Sequence, residues 1–101
     1  MEISKDNRGF SYIEFEDVYE NECVLQQSSA IGNYEDSLSR PGSSMIWLGV
    51  NKPKCRIMDK NGWEDYKIPD EVSIHSCMHL NREDVKALIN HLNNWLKTGK
   101  F

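Results

Sequence analysis

One pattern near the C-terminus restricts what the rest of the chain can be. Val85, Leu88, Ile89, Leu92, Trp95 and Leu96 follow one another at spacings that keep returning to one side of a helix. Lys86, Asn90, Asn93 and Lys97 fall on the opposite, wet side. Asn81 is placed to cap the first turn, and Asp84 sits near the positive end of the helix dipole. Lys97 suits the negative end, and Gly99 can take the left-handed conformation that stops a helix. The pattern predicts a helix over residues 82–98. A helix with one apolar stripe needs one apolar surface to lie on, so the residues before it have to build a sheet face.

Those residues read as strands. Phe10 to Phe15 alternate, with Phe10 and Tyr12 on one side and Ile13 and Phe15 on the other. The polar "EDVYENE" that follows holds the turn formers Asp17 and Asn21, and Cys23 to Leu25 return as the second strand of a hairpin. "MIWLGV", Met45 to Val50, is a short apolar run and reads as a central strand buried on both sides. Glu71 to Leu80 reads as a further strand, with Val72, Ile74, Met78 and Leu80 on one face and Ser73, His75, Cys77 and His79 on the other. Between them, Asn51 to Asp70 reads as irregular, with a turn at Asn61-Gly62 and with Pro53 and Pro69 as breakers. The expected fold is α+β: one domain over residues 1–101, with an antiparallel sheet of about four strands and one C-terminal amphipathic helix.

Composition removes several function classes. The formal net charge is -4, which argues against a general nucleic-acid binder, since such a protein needs a basic stripe to displace counterions. There is no apolar run long enough for a membrane span and no apolar signal segment at the N-terminus. Three irregularly spaced cysteines fit reduced thiols in a cytosol.

The stretch "SIHSCMHL" offers the sharpest chemical hypotheses. His75, Cys77 and His79 alternate, so a strand would put them on one face. Alternate residues of a strand lie almost 7 Å apart, at about 3.3 Å per residue. Two can share a zinc ion, but three in a row hardly converge on one. No metal and no cofactor is expected, and His79 is expected to be held by a hydrogen bond near the helix start. A Cys77–His79 nucleophilic pair lacks an acid in any visible motif to orient the base.

The segment from Ser28 to Ser44 holds six serines, two glycines and a proline, and reads as a long loop. Ser28, Ser29, Tyr34 and Arg40 make it a candidate binding loop for a protein or a nucleotide, although the P-loop spacing is absent. The plainer reading is a solvated loop. Trp63 and Tyr66 stand in a charged, irregular context and are candidate contact residues. Apolar residues on both sides of the hairpin and of "MIWLGV" leave more face than one helix covers. A homodimer is therefore expected, with Phe10 and Tyr12 at the contact.

Taken together, "RGF" at Arg8–Phe10, "LQQSS" at Leu25–Ser29, "IWLG" at Ile46–Gly49, "MHLNREDV" at Met78–Val85 and "WLKTG" at Trp95–Gly99 resemble a family of short proteins encoded by tailed phages and prophages. The resemblance spans nearly the whole chain. It implies a phage origin, the cytoplasm of an infected bacterial host, and an accessory role. It carries no catalytic residues. The function it implies is a small binding protein that inhibits or sequesters a component of host antiviral defence, a protein or a nucleotide second messenger, without catalysis. The alternatives are a small nucleotide-processing enzyme using the His75/Cys77/His79 face and a phage structural or assembly accessory.

Overall fold

The protein is described by a computed structural model over residues 1–29 and 44–101. In chain order the elements are β1 (Ile3–Lys5), β2 (Ser11–Glu16), β3 (Glu22–Gln27), β4 (Met45–Val50), β5 (Cys55–Asp59), β6 (Gly62–Tyr66), β7 (Cys77–Asn81) and α1 (Arg82–Thr98). The fold is α+β. The main sheet has five strands in the order β1-β2-β3-β4-β7, every neighbour antiparallel, and β5 and β6 form a separate ribbon.

Two aspartates shape the first turns. Asp6 accepts the backbone N–H groups of Arg8 (2.9 Å) and Phe10 (3.0 Å), which folds the chain back from β1 into β2. Asp17 accepts those of Tyr19 (2.8 Å) and Asn21 (2.9 Å), and its other oxygen accepts the Asn21 amide. Glu20 takes the left-handed conformation (φ 64°) that this hairpin turn requires. Hydrogen bonds favour the ionised form of each carboxyl. The bond from Phe10 leads in lowering Asp6 below the usual carboxylate value, and the bond from the Asn21 side chain leads for Asp17. A group whose folded pKa is depressed stabilises above its unfolded value and loses that contribution as pH falls through the folded one. Stability from these turns should therefore hold at neutral pH and be lost as pH falls below about 4, the ordinary aspartate pKa, toward the lower folded values. Urea titrations at stepped pH check this. The variant carrying Asp6→Ala and Asp17→Ala should be less stable at pH 6 and decline less steeply below pH 4; an unchanged acid limb would refute the assignment.

Three readings of the sequence need correction. The segment read as irregular contains the β5–β6 ribbon, which turns through Lys60 and Asn61. Asp59 accepts the Asn61 N–H (2.8 Å), and Gly62 takes the positive φ (103°) at the first paired position. The strand expected from Glu71 starts only at Cys77. Its partner β4 ends at Val50, where the Val50 N–H donates to the Ser76 carbonyl, and with no neighbour further on residues 72–76 have no ladder to join. The sheet also gains a strand beyond the expected four, because β1 pairs with β2.

α1 has the expected bounds. Asn81 accepts the Asp84 N–H (2.9 Å), while the Asp84 carboxylate accepts the Asn81 N–H (3.2 Å), and Gly99 ends the helix at φ 74°. The surprise is where α1 goes. It follows β7 with no intervening residue, makes its main contact with that strand, and contains no buried residue. Leu88, Ile89, Leu92, Trp95 and Leu96 are all open to solvent, so the stripe does not cover this chain's own sheet. The buried apolar residues among those described are Cys23 and Val24. The radius of gyration is 17.1 Å, against about 13 Å for a compact domain of 100 residues.

Candidate functional site

The register assigns each side chain to a face of the sheet. Ile3, Ile13, Leu25, Leu48 and Met78 are successive partners across all five strands and form one apolar row. One residue along, Ser4, Tyr12, Gln26, Trp47 and His79 form the next row, which points to the other side because side chains alternate along a strand. The sheet thus has one apolar face and one mixed aromatic and polar face.

The mixed face carries the candidate site. The rings of Trp47 and His79 stack, with centroids 4.0 Å apart and planes 14° from parallel. Both residues are exposed, Trp47 at 38%. His79 Nε2 lies 2.8 Å from the Ser28 hydroxyl, and Ser28 is buried. Ser28 in turn donates its backbone N–H to the Met45 carbonyl (3.1 Å), closing the two ends of the 28–44 segment against the sheet. The imidazole is thereby held from its edge by a hydroxyl and from one face by an indole. Further along the same row, beyond Trp47, Tyr12 and Gln26 help to line a pocket of about 220 Å³ with Asp6, Glu14, Val24 and Asn51; neither Trp47 nor His79 lines it. A row of aromatic and amide groups suits a flat ligand that stacks and accepts or donates hydrogen bonds at its rim.

Of the residues singled out in the sequence, Ser28 and His79 come together, and His79 has the hydrogen bond near the helix start that was expected. Tyr12 joins their face, on the side away from Ile13. Phe10 precedes β2, with the Arg8 guanidinium 5.0 Å from its ring centre. Ser29 is exposed at the root of the segment, and Tyr34 and Arg40 lie outside the described residues. Trp63 and Tyr66 stand three residues apart in β6, hence on opposite faces of the ribbon, and cannot both meet one flat partner. His75 precedes β7, so the expected line of three alternating side chains reduces to Cys77 and His79. The Cys77 thiol donates to the Val50 carbonyl (3.3 Å). Among the described residues no three histidine, cysteine or acidic side chains are grouped to hold a metal ion.

Sequence reasoning missed Trp47 and Gln26 as site residues. A strand buried on both sides over Met45 to Val50 puts Trp47 in the core, whereas it is 38% exposed. The available signal was its alternation with Ile46 and Leu48, which places it on the other face. Compared with protein-family models, with curated proteins and with solved structures, the chain matches none of them.

Proposed function

We propose that this chain is a phage-encoded binding protein that sequesters a component of host antiviral defence in the infected cell, as a homodimer and without catalysis. The phage setting rests on the resemblance of the five motifs. Of the two target classes, a nucleotide second messenger is favoured over a defence protein, and one observation carries that choice: the exposed Trp47–His79 stack, fixed by Ser28, with Gln26 next to Trp47 and Tyr12 one strand further along the same face. A nucleobase stacking on an aromatic side chain gains about 1–3 kcal/mol, whatever the base. The rim groups would then select among nucleotides.

Tryptophan fluorescence titrations with a cyclic dinucleotide and with adenosine monophosphate as probes test the reading. The expected result is saturable quenching at a fixed stoichiometry, with the probe recovered intact. Trp47→Ala should weaken binding about tenfold or more, the equivalent of ~1.4 kcal/mol. His79→Ala should act in the same direction. Absence of binding to any nucleotide would redirect the search to a protein target. Conversion of the probe, lost on His79→Ala, would favour the nucleotide-processing enzyme instead.

A further inference from the structure

We propose that two copies of this chain exchange their C-terminal helices, each α1 lying across the apolar sheet face of the other copy. The proposal rests on the homodimer reading above and specifies the surface. Among the described residues, two uncovered apolar surfaces stand on one chain. The first is the stripe of α1, where Ile89 is 51%, Leu92 52% and Trp95 51% exposed. The second is the sheet row from Ile3 to Met78, whose ends are 71% and 53% exposed and whose middle members are only half-buried. Each is what the other lacks.

The chain's own helix does not satisfy its own sheet. α1 begins at the residue after β7 and is fixed there by the reciprocal Asn81–Asp84 hydrogen bonds, so it leaves from the edge of the sheet and stays in contact mainly with β7. The dimensions fit a second copy. Seventeen helical residues span about 25 Å at 1.5 Å per residue. Five strands at about 4.8 Å spacing make a sheet roughly 24 Å wide. The chemistry fits as well: the stripe brings Leu88, Ile89, Leu92, Trp95 and Leu96, and the sheet row brings Ile3, Ile13, Leu25, Leu48 and Met78, so the contact would be apolar on both sides. A reciprocal exchange under two-fold symmetry covers both surfaces on both copies at once.

The occupant is a second copy, and the test separates this arrangement from dimerisation itself. Light scattering on the full chain at 100 µM should give twice 11.8 kDa. In a dimer mixed from carbon-13-labelled and unlabelled chains, isotope-filtered nuclear Overhauser spectra should show contacts between chains from Leu92 and Trp95 to Ile13 and Leu48. Leu92→Glu should shift the mass to that of a single chain. A monomeric wild-type chain would overturn both this proposal and the homodimer reading. A dimer whose helix–sheet contacts are all within one chain, or whose contacts between chains lie at Phe10 and Tyr12, would overturn the exchange and leave the homodimer standing. A Leu92→Glu chain that stays fully dimeric would also overturn the exchange.

Discussion

Gly49→Val should abolish the native fold, and Gly49→Ala should weaken it by about 1–3 kcal/mol, the usual range for overpacking a tight site. A Cβ at Gly49 would run into the Ser76 carbonyl oxygen and stand 2.7 Å from the Cys77 Cα. Both are backbone atoms, and neither can swing aside as a side-chain tip would. Relief requires β7 to move off β4. That movement would break the Val50–Ser76 hydrogen bond, separate Trp47 from His79, and carry away α1, which is continuous with β7. The larger valine side chain makes the loss total for a domain holding only about 5–15 kcal/mol of stability. Circular dichroism melts of the two variants beside wild type decide the matter. A Gly49→Val chain that melts with the wild type would mean that β7 does not approach so closely.

Unfolding of the wild-type chain should depend on its concentration. With Cys23 and Val24 as the buried apolar residues among those described, a single chain has little core of its own. If the helices are exchanged, most apolar burial forms only on association, and folding becomes inseparable from dimerisation. A hundredfold dilution should then remove about 2.7 kcal/mol per dimer by mass action. Spread over the unfolding entropy of two chains, near 2.1 cal/mol/K per residue, that is a fall in melting temperature of roughly 6 °C. Thermal melts at 1 and 100 µM measure it, and coincident curves would show that each chain folds alone.

These expectations mark what the sequence made readable and what it hid. The ends of α1 were readable because caps are local chemistry: Asn81, Asp84 and Gly99 act within a turn of themselves. Where its stripe would lie was not, since amphipathicity specifies an apolar partner and says nothing of whose surface that is. The hairpin of β2 and β3 was readable from alternation and from Asp17 and Asn21. The Trp47–His79 stack was hidden because it depends on register between strands that are far apart in sequence. The β5–β6 ribbon was hidden for another reason. Its strands are short and charged, and the cross-strand pairs that hold them, Met58 with Trp63 and Arg56 with Asp65, become visible only once the turn is placed.

The joint between β7 and α1 has a consequence for how this molecule can change. With no spacer residue, Asn81 serves as the last rung of the strand and the cap of the helix together. Sheet and helix are therefore geared. The direction in which the stripe faces is set by residue count, and each residue added or removed turns it by about 100°. Substitutions along the stripe can be absorbed one methyl group at a time. A single-codon insertion or deletion at this joint cannot, because it would rotate Leu92 and Trp95 together to a new bearing.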